Sequence, residues 1–185
     1  MKRYVLASGS PRRKELVSKL GIEFEIIPSK YEEQLDNRKF SYEKIEDLAY
    51  NKALFVAKEL TEPAIVIGAD TVVVLEDNIL TKPVDKQDAF NTLKLLSNRE
   101  HLVVTGMAVI NTYTHTTIIK SVTTKVFFNN LTDDMIHYYI DNFKPFDKAG
   151  SYGIQELPDG FVSHIEGSEE NVIGLCTKSL AEMLK

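Results

Sequence analysis

Residues 64–75 read Ala64-Ile65-Val66-Ile67-Gly68-Ala69-Asp70-Thr71-Val72-Val73-Val74-Leu75, and all but Gly68, Asp70 and Thr71 are apolar. A run so rich in Val and Ile reads as a strand buried on both faces, which places it inside a sheet covered by helices. Asp70 in its middle is costly there: a buried carboxylate must find a partner or take up a proton. It either meets a cation in a cleft or bonds to its own backbone in a hairpin turn. The turn is better supplied a few residues on, by Glu76-Asp77-Asn78. Gly68, two residues before the acid, predicts a bulge or a close backbone approach that turns Asp70 toward a cleft.

Around this run, strand and helix signals alternate. Residues 4–7 read as a short strand, Ser8-Gly9-Ser10 as a turn, and Pro11 as the first residue of a helix carrying Leu16, Val17 and Leu20. Residues 24–28 predict a second strand. Ser41 caps a helix reaching about residue 60. Residues 85–97 are helical, with Ala89, Phe90, Leu93 and Leu96 on one face. Residues 101–113 and 117–128 predict a hairpin around Thr114-His115-Thr116. Thr132, followed by Asp133 and Asp134, starts another helix, with acids where the dipole favours them. A last helix from about Asn171 carries Val172, Leu175, Cys176, Leu180 and Met183 inward. The pattern predicts one α/β domain, residues 1–185, on a mixed sheet.

Composition narrows the function. The 185 residues carry a net charge of -5, which argues against a stable nucleic-acid complex. One cysteine, Cys176, excludes an intrachain disulfide and a Cys-rich zinc site. No apolar run reaches the ~20 residues that span a bilayer, and the apolar stretch near the N-terminus is too short for a signal peptide. A cytoplasmic setting is the expectation.

Charge is nevertheless uneven. Residues 1–20 hold six Lys and Arg against one Glu. There the helix start at Ser8-Gly9-Ser10-Pro11-Arg12-Arg13 offers free backbone N–H groups, the hydroxyls of Ser8 and Ser10, and two guanidinium groups as donors to an anion. A capped helix with a solvated basic face reads equally well. Lys52 falls on the apolar stripe of the helix at 41–60, beside Leu48, Ala49 and Val56; it either snorkels out or meets an anion in a polar cleft. Lys82 follows a strand end, Glu32 and Glu33 lie near another, and Asp147-Lys148-Ala149-Gly150-Ser151-Tyr152-Gly153-Ile154-Gln155 bends on glycines. The four histidines show no ligand spacing and read as structural or surface residues, and Cys176 reads as core. Cations, hydroxyls, two separated acidic positions and a Gly-containing loop together fit a polyphosphate and its metal ion.

Several blocks, in order, carry a resemblance. Leu6-Ala7-Ser8-Gly9-Ser10-Pro11-Arg12-Arg13, Gly68-Ala69-Asp70-Thr71-Val72, Lys82-Pro83, Val104-Thr105-Gly106, Asp147-Lys148-Ala149-Gly150, Tyr152-Gly153-Ile154-Gln155 and Asn171-Val172-Ile173-Gly174-Leu175 resemble the signature of the Maf family of nucleoside triphosphate pyrophosphatases. The resemblance implies an elongated mixed sheet flanked by helices, with a cleft between two lobes. It also implies a divalent cation (Mg²⁺ or Mn²⁺), a homodimer, and hydrolysis of a nucleotide to monophosphate and pyrophosphate. Carried over by position, Asp70 is the proton acceptor, with Ser8, Arg12, Glu33, Lys52 and Lys82 around it. Arg13, Thr71 and Gln155 match the branch acting on dTTP and UTP, and modified uridine triphosphates are further expected substrates. Glu33 and Asp70 are then the carboxylates for the cation. A purine-directed pyrophosphatase and a nucleotide- or nucleic-acid-binding regulator of cell division are the alternatives. Three positions depart from the family pattern: Lys144 replaces an acid, Glu156 a glycine and Cys176 a proline.

Overall fold

The computed structural model describes residues 1–33 and 38–185. Its elements are β1 (Tyr4–Leu6), α1 (Pro11–Ser18), β2 (Glu25–Ile26), α2 (Tyr42–Glu59), β3 (Ile65–Leu75), β4 (Asn78–Leu80), α3 (Lys86–Leu96), β5 (Glu100–Asn111), β6 (Thr116–Phe128), α4 (Asp133–Phe143), a 3₁₀ turn (Ala149–Ser151), β7 (Val162–Glu166), α5 (Glu169–Ile173) and α6 (Thr177–Met183). The helix starts are cut by side-chain caps: Ser10, Ser41, Asp85, Thr132 and Ser168 each accept a backbone N–H from three residues on.

Seven strands form one mixed sheet in the order β2-β1-β3-β5-β6-β7, with β4 added to β3. β1 pairs in parallel with β2 and β3, and the remaining pairings are antiparallel. At ~3.3 Å per residue, the long strands β3, β5 and β6 make the sheet elongated.

The register places the cleft. β5 runs along one edge of β3 from Ile65 to Val74. On the other edge β1 covers only Ile65–Ile67 and β4 only Val73–Leu75. Between them residues 68–72 have no strand partner on that side among the described residues, and this gap holds Asp70 and Thr71.

The faces of the sheet differ in the same place. Alternation sends Val66, Gly68, Asp70, Val72 and Val74 to the face covered by α2, where Ala49, Ala53 and Val56 meet Val66, and Ile45 and Leu48 meet Val72 and Val74. On the opposite face the core is divided. Ile65, Ile67 and Ala69 pack with α1 and α6, while Val73 and Leu75 pack with α3 and α4. Thr71 lies at the division, opposite Thr105 of β5. The expected two lobes are these two clusters, and the threonines mark the seam.

One sequence alternative is decided and two expectations need correction. Gly68 makes a close approach and no bulge: pairing with β5 runs unbroken through Gly68, and a Cβ there would stand 2.4 Å from the carbonyl oxygen of Ala49. The second strand shrinks to two residues, Glu25 and Ile26. The last helix is two helices, α5 and α6, separated at Gly174, whose φ is 148°.

Candidate active site

Each side chain of the cleft is placed by its own element. Gly68 and, across the ladder from Asp70, Gly106 have no side chain to hold α2 away; a Cβ on Gly106 would lie 2.5 Å from the carbonyl oxygen of Ile45. With α2 that close, Lys52 reaches the sheet. Its Nζ lies 2.6 Å from Oδ1 of Asp70 and also pairs with Glu33. The lysine thus points into the cleft, with its side chain 17% exposed against 10% for Asp70.

The electrostatics follow from the burial. Removal from water pushes the pKa of Asp70 up; Lys52 and Arg13 oppose that shift, and the charge of Glu33 adds to it. Glu33 goes the other way. Half-burial pushes it up, but Lys52, Asp70 and the charge of Lys82 together hold it below the ordinary carboxylate range.

The turn before α1 supplies the second group. Ser10 Oγ accepts from the N–H of Arg13 at 3.4 Å, and Ser8 Oγ accepts from the N–H of Ser10 at 3.2 Å. Ser10, Arg12 and Arg13 line the cleft; Ser8, nearly buried, sits behind Ser10 and is not part of the lining.

Arg13 Nε donates to the carbonyl of Gly174 at 2.9 Å, and its Nη2 donates to Thr71 Oγ1 at 3.0 Å. Thr71 Oγ1 lies 2.8 Å from Thr105 Oγ1, and Thr105 donates to the carbonyl of Asn171. Asn171 is fully buried, and its amide nitrogen donates to the carbonyls of Val103 and Val122 and to Thr124 Oγ1. A continuous polar seam therefore crosses β3, β5 and β6 between the two apolar clusters. At its end α5 is closed by Gly174, whose N–H, with that of Leu175, returns to the Glu170 carbonyl and whose own carbonyl accepts from Arg13. Burial lowers the pKa of Arg13, with Asp70 opposing, and the guanidinium stays cationic.

The cleft closes into a volume of about 450 Å³. Its lining brings together Ser10, Arg12, Arg13, Glu33, Lys52, Asp70, Thr71, Lys82 and Gln155, all named from the sequence, with Lys82 two residues past β4 and Gln155 on the loop after the 3₁₀ turn. It adds Asp147, Lys148, Tyr152 and Glu156, which the sequence left without a role. Lys148 is 9% exposed, and its Nζ lies 3.1 Å from Asp147 and 3.3 Å from Glu156. A lysine before an Ala-Gly turn was the available signal, but nothing local says which acid it meets. Of the departures, only Glu156 reaches the cleft. Lys144 caps α4 in the left-handed region (φ 49°), and Cys176 stands at the N-cap position of α6 as a buried free thiol that makes no side-chain cap.

A divalent cation fits one position. The Lys52 ammonium already sits where the carboxylates of Glu33 and Asp70 converge, so this point attracts positive charge. Mg²⁺ takes one or two protein carboxylates and completes its shell with phosphate oxygens and water. Among the described residues no group of three or more His, Cys, Asp or Glu is assembled, so a cation here relies on these two. Nor is any described helix long and apolar enough to cross a membrane.

Known proteins agree with this architecture. The chain is 46% identical over 181 residues to a dTTP/UTP pyrophosphatase of Thermoanaerobacter sp. (strain X514), covering 98% of this chain and 94% of that one. It is 45% identical over 185 residues to a dTTP/UTP pyrophosphatase of Alkaliphilus oremlandii, covering 100% and 96%. Among solved structures, a nucleoside-triphosphatase (dITP/XTP pyrophosphatase) of Mycobacterium abscessus shares the fold, with a TM-score of 0.51 at 14% identity over 98% of this chain and 92% of that one. The family model described as Maf-like protein matches residues 3–185, and on this match and these identities the chain belongs to the Maf family.

Proposed function

We propose that this protein is a cytoplasmic nucleoside triphosphate pyrophosphatase that converts dTTP, UTP and modified uridine triphosphates to monophosphate and pyrophosphate, and so cleans nucleotide pools. The observation that carries the reading is the Asp70–Lys52–Glu33 cluster, set in a cationic cleft at the open stretch of β3. The names of the relatives support the substrate class.

In this reading the oxygen of a water molecule bonds to the α-phosphorus. The bond from that phosphorus to the oxygen bridging to the β-phosphate breaks, and pyrophosphate leaves with the electron pair. Asp70 accepts the proton of the water, and burial, which pushes its pKa up, makes it a stronger base than a solvated aspartate. Lys52 holds the carboxylate through Oδ1 and fixes its direction. Arg12 and Lys82 face charge that builds on the departing pyrophosphate. The hydroxyls of Ser8 and Ser10 stiffen the turn that presents Arg12 and Arg13, and Ser10 itself lies against the phosphates. When bound, Mg²⁺ or Mn²⁺ on Glu33 and Asp70 offsets phosphate charge and lowers the pKa of bound water.

The base is read at the other end of the cleft. Gln155 offers an amide that pairs with the carbonyl and N–H of an imide edge. Arg13 spends two N–H groups on Gly174 and Thr71, which fixes its plane and leaves others to donate to a pyrimidine carbonyl. Thr71 therefore acts on the base through Arg13. A homodimer is part of the same proposal, by resemblance.

The test is a panel of triphosphates with and without Mg²⁺, following pyrophosphate and orthophosphate separately. Metal-dependent pyrophosphate release, fastest from dTTP and UTP, is expected. Orthophosphate as the main product overturns the reaction; equal rates on all bases overturn the base assignment.

A further inference from the structure

The cleft wall contains an ammonium that the proposed reaction does not use. Lys148 is nearly buried in it, held between the carboxylates of Asp147 (3.1 Å) and Glu156 (3.3 Å). The lysine is built in, not draped over the surface. The stem runs close along the loop toward the cleft: a Cβ on Gly153 would stand 2.7 Å from Lys148 Cε and 2.9 Å from Cδ, and the lysine would have to move to make room for it.

The charges around it are unbalanced. One ammonium between two carboxylates carries a net charge of -1, in a cleft otherwise lined by Arg12, Arg13, Lys52 and Lys82 against Glu33 and Asp70. Glu156 and Asp147 are not equivalent. The side chain of Asp147 is 68% exposed and well solvated, whereas that of Glu156 is 36% exposed and its Oε2 is buried against the lysine. Only the Asp147 contact is a hydrogen bond, but the ion pair with Glu156, whose Oε2 has no hydrogen-bond partner, is the less screened by water.

We propose that Lys148 is a further contact for the phosphate chain of the substrate and that Glu156 is a positioning residue which holds it back, setting how tightly the cleft grips an anionic ligand. The inference rests on the reading of the cleft as a triphosphate site and adds to it a residue pair that tunes affinity. With Glu156 neutralised, the ammonium retains only the solvated carboxylate of Asp147 and turns its remaining donors to phosphate oxygens. The residue that departs from the family's glycine thus loosens substrate and product together, favouring release of pyrophosphate at the expense of binding.

The probe is inorganic pyrophosphate, titrated by calorimetry into the full chain and into Glu156→Gln, Lys148→Met and the double variant, with melting temperatures measured alongside. One charge-assisted hydrogen bond to the ligand corresponds to about a tenfold change in Kd. Glu156→Gln is expected to bind pyrophosphate about tenfold more tightly, and Lys148→Met more weakly. In the Lys148→Met background, Glu156→Gln is expected to have little further effect. With dTTP, Glu156→Gln is expected to lower KM without raising kcat, a split that a purely structural role does not produce. If the tighter binding of Glu156→Gln persists when Lys148 is replaced, Glu156 acts by its own charge and the coupling is overturned. The proposal also falls if Glu156→Gln binds no more tightly than the parent, and this comparison alone decides should Lys148→Met fail to fold. A chain that binds pyrophosphate with this pattern but hydrolyses no triphosphate leaves the coupling standing and removes the reaction.

Discussion

Asp70 is a costly residue to place, a carboxylate buried in an apolar strand, and the structure shows what it gains. Its ionised form is opposed by burial and by Glu33, and supported by Lys52 at 2.6 Å. The sign of the consequence is definite. A carboxyl whose folded pKa is raised contributes its stability below the unfolded value of ~3.9 and loses it as pH rises through the folded value. The ionised form of Asp70 is therefore a burden on the fold, kept for chemistry. Asp70→Asn removes that burden while Glu33 still pairs Lys52. We expect its melting temperature at pH 7.5 to equal or exceed the parent's while pyrophosphate release falls by about 10²–10⁴-fold. Parent kcat/KM is expected to rise with pH through an inflection above the ordinary aspartate value. An active Asp70→Asn variant, or a flat pH profile on the acid side, removes Asp70 as the base.

At the level of elements, the contact that matters is α2 on β3 and β5. Two glycines, Gly68 and Gly106, set its distance, and their close contacts are with helix backbone, which has no rotamer to yield. In Gly68→Ala the new methyl would meet the Ala49 carbonyl at 2.4 Å and Ala53 Cβ at 2.8 Å, so the helix must shift. We expect a loss of about 1–3 kcal/mol in urea unfolding, with Lys52 carried away from Asp70 and activity lost beyond what the stability change explains. Full activity in a well-folded Gly68→Ala variant counts against the close approach as the device that delivers Lys52. Helix boundaries were legible where a side chain caps them, as at Ser41 and Thr132. The break at Gly174 has a local signal as well, a glycine that closes α5 with its own N–H and that of Leu175 on the Glu170 carbonyl; what local sequence does not show is that its carbonyl meets Arg13, 161 residues away.

For the molecule as a whole, four apolar clusters cover the two faces of one sheet, and buried polar groups are set among them. His101 on β5 is one such group: 2% exposed, with Nε2 2.6 Å from the hydroxyl of Tyr152, whose ring packs in the same cluster and lines the cleft. Burial brings its pKa down to about 4. A histidine lowered in the fold contributes stability above its unfolded value of ~6.5 and loses it as pH falls toward 4. The shift is equivalent to ~3 kcal/mol. Denaturant titrations at pH 7 and pH 4.5 are expected to show most of that loss in the parent and much less of it in His101→Gln. An equal acid slope in both places the acid sensitivity elsewhere.

The buried strand, the capped helices, the acid in the apolar run and the ordered blocks that mark the family can all be read from the order of residues alone. These are local properties, written in hydrophobic period and in which side chain can cap which N–H. Lys52 stands out in the same way, as a lysine on the wrong stripe, because period is enough to reveal that conflict. Which charges meet is another matter, settled when the chain folds. Asp70 lies at an opening because β1 and β4 are each three residues long and leave the middle of β3 uncovered. Thr71, in the same uncovered stretch, meets Arg13 of α1. Strand register and helix distance are fixed by the packing of residues far apart in the chain, and a charged side chain carries no mark of its partner until that packing is complete.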